Sequence, residues 1–188
     1  MPAQGDQLVH DIAQKVARAS YGKLIAFLAK QTRDVAGAED ALSEAFAAAL
    51  ADWPRKGVPD NPEAWLMAVA KRKAIDALRR KRSDEASTDH LQLMAEELEA
   101  MSSREQHIPD ERLALMFACA HPAIDPGIRS PLILQTVLGL DAVDIGSAFL
   151  VTPAAMGQRL ARAKNKIKLA GIPFRVPEDR KSVVRERV

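Results

Sequence analysis

The sequence predicts an all-α protein made of two small helical domains joined by an acidic linker, and three observations support this. Aromatic residues make up only 4% of the chain and alanine and leucine are abundant, which favours helices packed by aliphatic side chains over sheets. Apolar residues recur at intervals of three and four, the period of an amphipathic helix. Two basic segments flank an acidic one, although the net charge of the 188 residues is only +2.

The N-terminal domain, residues 6–82, is expected to contain four helices, of which the first two lie between residues 6 and 32. Apolar residues four apart mark the first helix: Leu8, Ile12 and Val16. Gly22 should interrupt this helix, because glycine lowers helix propensity. A second helical run then follows and ends near Thr32.

The third and fourth helices of this domain have clearer boundaries. The third carries apolar residues at intervals of three and four: Ala38, Ala41, Leu42, Ala45, Phe46, Ala49 and Trp53. It should end at Trp53, because Pro54 disfavours helix in the residue before it. Asn61 and Pro62 indicate the N-cap and first turn of the fourth helix, which should end near residue 82.

An acidic linker, residues 83–109, is predicted next. Between Ser83 and Glu111 there are nine acidic residues against a single arginine. Leu91, Met94, Leu98 and Met101 predict a short amphipathic helix within it. The composition is equally typical of a solvated tether.

The C-terminal domain, residues 110–172, is predicted to have four short helices, followed by a tail at 173–188. Capping residues and first-turn prolines place the helix starts at Asp110, Ser130-Pro131, Asp141 and Thr152-Pro153. The second of these helices should run through Gly139.

Several classes of protein find no support in the sequence. No apolar run is long enough to span a membrane, and the first residues lack the pattern of a signal peptide. The single cysteine, Cys119, predicts a reducing cytoplasm. No clustered acid, base, nucleophile or metal ligands are present, so we expect no enzyme activity, no metal and no cofactor. Cys119 and His121 are expected to have structural roles.

The segment TPAAMGQRLARAKNKIK, residues 152–168, contains five basic residues and no acidic one. It follows LDAVDIGSAFL across a short turn, and a helix pair with a basic second member is typical of a helix-turn-helix DNA-binding motif. Its expected buried stripe is Met156, Leu160, Ala163 and Ile167. A solvated surface helix and a membrane-surface helix are the alternatives. The lack of acidic partners four residues away argues against the first, and the narrow apolar stripe argues against the second.

Two segments together resemble a known family. AEDALSEAF followed by NPEAWLMAVAKRKAIDALRR resembles the N-terminal domain of an extracytoplasmic-function (ECF) sigma factor of bacterial RNA polymerase, and DAVDIGSAFLVTPAAMGQRLARAKNKIK resembles the promoter-reading domain of that family. The resemblance covers about residues 10–175. DERLALMFACAHPAIDP and GIPFRVPE further resemble a subgroup whose members usually continue into a helical-repeat extension, which is absent from this chain.

The resemblance implies a transcription initiation factor without a catalytic step of its own. Its partners would be promoter DNA and core RNA polymerase, through the β′ clamp and the β subunit, with no membrane. A regulatory protein or the absent extension would be a further partner. Docking on the β′ clamp would fall to Asp40, Ser43 and Glu44, although many members have glutamine where Ser43 stands. An ordinary solvated face is the alternative for Asp40 and Glu44.

The resemblance also implies two DNA-binding sets. The set for the minus-10 element, where strands separate and a base is flipped out, is Asp60, Asn61, Lys71, Arg72, Lys73, Arg79 and Arg80. The set for the minus-35 element is Thr152, Ala155, Gly157, Gln158, Arg159, Arg162, Lys164 and Lys166. Small residues let a helix approach the bases, Gln and Arg read base edges, and Lys grips phosphates. Trp65 is expected in the core.

A stand-alone helix-turn-helix regulator is the alternative function. Such a protein would bind its operator alone, whereas a sigma factor should bind DNA weakly until polymerase is present. We also expect the acidic linker to lie against the basic surfaces and close the isolated protein.

Overall fold

The computed structural model describes residues 3–84 and 108–177, and every regular element in these ranges is a helix. The helices are α1 (Ala3–Thr32), α2 (Val35–Lys56), α3 (Pro62–Asp84), α4 (Arg112–Cys119), α5 (Pro126–Thr136), α6 (Ala142–Ala148) and α7 (Pro153–Leu169). The predicted all-α class is confirmed. The predicted helix at residues 91–101, nearly all of the linker, and most of the tail lie outside the described residues.

Helix α1 runs unbroken through Gly22, so the prediction of four N-terminal helices was wrong and there are three. Gly22 serves a tertiary contact instead: a Cβ atom there would collide with the backbone carbonyl of Val137. The absence of a side chain therefore lets α1 approach the end of α5 closely. A contact more than 100 residues away leaves no local signal in the sequence.

Helix α2 extends to Lys56, beyond the predicted end at Trp53, with Pro54 inside its last turn. A proline there removes only one backbone hydrogen bond close to the point where the helix ends. Gly57, with φ of 85°, closes the helix by donating its N–H to the Trp53 carbonyl at 2.9 Å. At the other end, the Asp34 carboxylate accepts the Gly37 N–H at 2.9 Å.

Helix α3 begins where the sequence predicted. The Asn61 side chain accepts the Ala64 N–H at 3.0 Å, and Pro62 occupies the first turn. Trp65 packs edge-to-face against buried Trp53 with ring centroids 5.5 Å apart. The expected core role of Trp65 therefore holds, with its ring half-buried.

Two of the predicted C-terminal helix starts were wrong. Helix α4 begins at Arg112, after Glu111, and the Asp110 carboxylate accepts the Arg112 N–H at 3.1 Å as well as binding its side chain. Helix α5 begins at Pro126, where the Asp125 carboxylate accepts the Gly127 N–H at 2.7 Å. It ends at Thr136, not Gly139, with Pro131 inside it.

The starts of α6 and α7 were predicted correctly. The Asp141 carboxylate accepts the N–H groups of Val143 and Asp144 at 2.9 and 2.8 Å. The Thr152 hydroxyl accepts the Ala155 N–H at 3.3 Å ahead of Pro153.

The two halves of the described chain share one hydrophobic core. Its members include fully buried Leu42 and Leu66 from the N-terminal half, and Leu115, Leu132 and Ile145 from the C-terminal half. Helix α1 packs against α4 and α5, and α2 packs against α7. Among the described helices, none is both long and apolar enough to cross a bilayer.

The Gly22 contact yields a test with an internal control. Gly22→Ala should lower the free energy of unfolding by about 1–3 kcal/mol, because the methyl group meets a backbone carbonyl that has little room to move. Gly157→Ala should raise it by about 0.5–1 kcal/mol, since that helical glycine faces open space. Urea unfolding of both variants checks the prediction, and equal effects would contradict it.

Candidate nucleic-acid interface

Helices α6 and α7 are joined by a tight turn at residues 149–152. Leu150 adopts a φ of 54°, and the Val151 N–H donates to the Gly146 carbonyl at 2.8 Å. A Cβ on Gly146 would lie 2.7 Å from the Val151 carbonyl oxygen, so only glycine fits this turn without a shift. The turn fixes the angle at which α7 leaves the domain.

Helix α7 buries the stripe that the sequence predicted: Met156, Leu160, Ala163 and Ile167. The polar side chains at Gln158, Arg159, Arg162 and Lys166 are exposed. The Arg162 Nε donates to the Gln158 carbonyl at 3.3 Å, which keeps that side chain along the helix surface. Thr152 is also exposed, while Ala155 and Gly157 are half-buried near the start of the helix.

The exposed cations of α7 border a groove of about 680 Å³. Its other wall is formed by residues 122–128, the loop before α5 and the first turn of that helix, and its α7 wall carries Arg159, Arg162 and Lys166. Arg129 braces the loop, donating to the backbone carbonyls of Ile124 and Pro122 at 2.9 and 3.2 Å. A groove with three cations along one wall suits a polyanion such as a nucleic-acid backbone.

Lys164 does not lie on this groove, although it belongs to the predicted minus-35 set. Its ammonium is 2.5 Å from the Glu39 carboxylate and 3.0 Å from the Gln135 side-chain oxygen, and its side chain is only 11% exposed. One turn later, Lys168 lies 2.6 Å from the Asp34 carboxylate. In the structure both lysines contact the N-terminal half. The predicted phosphate contact of Lys164 would require its ion pair with Glu39 to break.

Burial gives the Glu39 carboxylate an unfavourable environment. It raises the pKa of Glu39, and the neighbouring Lys164 ammonium opposes this rise only in part. The second carboxylate oxygen, Oε1, has no hydrogen-bond partner within the described part of the chain. Burial raises the pKa of the Tyr21 hydroxyl well above its usual value, and the negative charge of nearby Glu39 adds to this rise. The ammonium group of Lys164 therefore favours the ionised form of Glu39, which burial disfavours.

An exposed face of α2 carries the residues predicted to dock on polymerase. Asp40, Ser43 and Glu44 are all exposed, and the two acids lie one turn apart. Glu44 forms a 3.0 Å ion pair with Lys73 of α3. This acidic face is open to a protein partner in the structure.

Most of the predicted minus-10 set is also on the surface. The exposed members are Asp60, Asn61, Arg72, Arg79 and Arg80, while Lys73 is half-buried beside Glu44. The Arg80 Nε donates to the backbone carbonyl of Asp76 at 3.3 Å. Together they give α3 a basic face close to its acidic neighbour α2.

Lys71 lies apart from the exposed members of that set. Its side chain is buried, and its ammonium lies 5.0 Å from the centroid of the Phe27 ring, a cation–π contact with α1. Position 71 is four residues from buried Met67 and four from buried Ile75. This helical spacing places Lys71 on the apolar face of α3. The sequence analysis assigned Lys71 to the DNA-binding set because of its charge and did not use the spacing.

Three interface residues were missed by sequence reasoning as partners of α7. Asp34, Glu39 and Gln135 contact lysines at separations of up to 134 residues. The sequence analysis did not identify Glu39 as an interface residue, since it lies away from the apolar stripe of its helix. No local pattern distinguishes an acid that meets water from one that meets a distant lysine.

Cys119 and His121 have the structural surroundings expected for them. Cys119 is buried with its sulfur 3.6 Å from the Thr136 hydroxyl, and burial raises the pKa of the thiol to about 11. The thiol is therefore protonated near neutral pH and is a poor nucleophile. His121 Nδ1 accepts the Ala123 N–H at 3.2 Å. No cluster of potential metal ligands occurs among the residues that the structure covers.

Comparison with known families assigns the N-terminal half. Residues 16–84 match the family model described as Sigma-70 region 2. The match covers most of α1 and all of α2 and α3, the three helices that carry the acidic and basic faces described above. It supports a sigma-70 family sigma factor.

A relative extends the similarity beyond that region. The chain is 38% identical over 160 residues to an uncharacterized protein of Rhizobium meliloti (strain 1021). The alignment covers 80% of this chain and 37% of the relative, so the chain spans well under half of that protein's length. No solved structure matches the chain at a significant level.

The different surroundings of two adjacent basic residues on α3 can be tested. Lys71→Ala should lower the free energy of unfolding by about 1–2 kcal/mol, because it removes the cation–π contact and the packing of a buried side-chain stem. Arg72→Ala, at an exposed position, should change it by less than about 0.5 kcal/mol. Thermal or urea unfolding measures both. An unchanged free energy of unfolding for Lys71→Ala would contradict a stabilising role for the contact between Lys71 and Phe27.

Proposed function

We propose that the protein is an ECF-type transcription initiation factor that binds core RNA polymerase and directs it to specific promoters. The observation that carries the proposal is the cationic groove of α7 on a chain whose other half matches Sigma-70 region 2. Such a factor works in the cytoplasm and positions DNA and polymerase without a catalytic step of its own. Its units are residues 6–82, the linker 83–109, and residues 110–172, a helix-turn-helix unit.

In this proposal α7 recognises the minus-35 element in the major groove. Gln158, Arg159 and Arg162 are exposed and have the side chains that read base edges, with Lys166 beside them for phosphate. Thr152, Ala155 and Gly157 present small side chains where the start of the helix approaches the DNA. The α6–α7 turn, fixed by Gly146, sets the angle of entry.

Helix α3 and the loop before it act on the minus-10 element. Strand separation needs phosphate neutralisation and a place for an unstacked base. Arg72, Arg79 and Arg80 would supply the first, and Asp60 and Asn61 would line the second. Lys73 would join them by exchanging Glu44 for a phosphate.

The exposed acids of α2 are the proposed docking point for polymerase. Asp40 and Glu44 lie one turn apart with Ser43 between them, so one basic surface of the β′ clamp could meet both carboxylates. In vitro transcription with purified core enzyme on a pool of promoter fragments tests the whole proposal. Specific DNA binding that does not respond to polymerase would favour a stand-alone regulator instead.

Arg159 should discriminate between sequence reading and phosphate contact. In complex with core polymerase, Arg159→Ala should weaken binding to the selected minus-35 sequence by about 1–3 kcal/mol relative to random DNA. Arg18→Ala, at an exposed position on α1, is the matched control and should leave both affinities unchanged. Equal weakening on both DNAs would make Arg159 a phosphate contact.

The docking assignment has its own test. The double variant Asp40→Ala with Glu44→Ala should lose most of its retention on immobilised core polymerase while keeping the helical content and unfolding midpoint of the parent. Asp52→Ala is the control, because Asp52 lies on the same helix but pairs locally with Arg55 and Lys56. Unchanged retention of the double variant would refute the assignment.

A further inference from the structure

The groove beside α7 has two walls of different character. The α7 wall carries three cations, Arg159, Arg162 and Lys166. The second wall, residues 122–128, has no cation, and its one charged side chain is that of Asp125. Its other exposed residues are small or cyclic: Pro122, Ala123, Pro126 and Gly127. The segment DERLALMFACAHPAIDP ends in this wall, which has no role in the function proposed above.

Hydrogen bonds hold the second wall in one shape. The guanidinium of Arg129 donates from Nε to the Ile124 carbonyl at 2.9 Å and from Nη2 to the Pro122 carbonyl at 3.2 Å. The buried Ile124 donates its own N–H to the His121 carbonyl at 2.9 Å. Arginine presents its donors in a rigid planar fork, which suits two carbonyls bound at once.

Arg129 acts on the groove from outside it. The residues that line the groove in the described part of the chain do not include Arg129. Its two hydrogen bonds go instead to the backbone of the second wall. The distance between that wall and the cations of α7 therefore depends on Arg129, because nothing else described here binds both carbonyls.

One sugar–phosphate strand of duplex DNA fits the two walls. A helix that lies in a major groove has such a strand along each flank. Phosphates need cations, which the α7 wall supplies, and the sugars between them need a small surface that lets them approach. The negative charge of Asp125 repels phosphates and so favours their position on the α7 side of the groove.

We infer that the groove beside α7 holds one DNA strand between its two walls, and that Arg129 is a positioning residue which sets the width of the groove without touching the DNA. The inference rests on the proposed function for the placement of α7 in a major groove. It adds residues 122–128 to the DNA interface and gives Asp125 a repulsive role there.

Arg129→Lys and Arg129→Ala test the positioning role. The binding of each full-length variant to a fluorescein-labelled random-sequence DNA duplex is measured by fluorescence anisotropy over a range of salt concentrations, where urea unfolding shows every variant to be folded. Both variants should weaken binding roughly two- to tenfold, the effect usual for one lost hydrogen bond, because neither keeps the fork. The slope of log affinity against log salt should stay that of the parent, since no phosphate contact is lost.

A direct phosphate contact by Arg129 would give a different pattern. Arg129→Lys would then keep the parent affinity, because lysine also binds phosphate, and Arg129→Ala would reduce the salt slope by about one. That result would overturn the positioning role.

Asp125→Asn tests whether phosphates pass the second wall. Asparagine can also accept the Gly127 N–H, so the change removes the charge and keeps the cap. The affinity for the same duplex should rise about two- to fivefold at low salt, the effect of removing one nearby like charge in water. The gain should shrink as salt rises. Asp11→Asn is the matched control, because Asp11 is exposed on α1 away from the groove lining, and its affinity should stay that of the parent.

The outcomes separate this inference from the proposed function. If Asp125→Asn binds the duplex no better than Asp11→Asn, or if Arg129→Lys binds as the parent does, the inference is overturned. Promoter-specific transcription with core polymerase would still support the function in that case. If the variants change duplex binding as expected but the parent directs no transcription, the inferred groove contact stands and the proposed function fails.

Discussion

The ion pair between Lys164 and Glu39 is the interaction on which the described arrangement depends. A carboxylate buried as deeply as Glu39 is costly unless a cation compensates it, and its second oxygen finds no partner in the described residues. Removing one member of a buried pair typically costs about 3–5 kcal/mol, because the other charge is left uncompensated. The pair can therefore separate only if both charges are rehydrated or given new partners.

The geometry of a helix explains how α7 can bind two partners. At about 100° per residue, Arg159, Arg162 and Lys166 fall on one side of the buried stripe, and Lys164 and Lys168 fall on the other. The first row borders the groove and the second meets α2. A single basic helix thus presents one row of cations to the groove, where the proposed function places DNA, while the second row contacts the N-terminal half.

The local features of the fold could be predicted from the sequence, and the distant contacts could not. Asn61, Asp141 and Thr152 cap helices as expected, because a cap bonds to backbone groups two or three residues away. Gly22 was misinterpreted, and Glu39 was not identified as an interface residue, because what each one contacts lies more than 100 residues along the chain. The same limit applies to the site: the sequence placed Lys164 in the same DNA-binding set as Arg159, Arg162 and Lys166, and nothing local indicated that Lys164 contacts Glu39 instead.

If the protein has the proposed function, the contacts of Lys164 and Lys168 have a role before polymerase is met. A cation-rich protein binds any DNA through its phosphates, and each additional contact strengthens this non-specific binding. The ion pairs of Lys164 with Glu39 and of Lys168 with Asp34 remove two such contacts from the described arrangement. The acids and lysines nearly cancel in the net charge, but their pairing also decides which lysines of α7 are available to other partners.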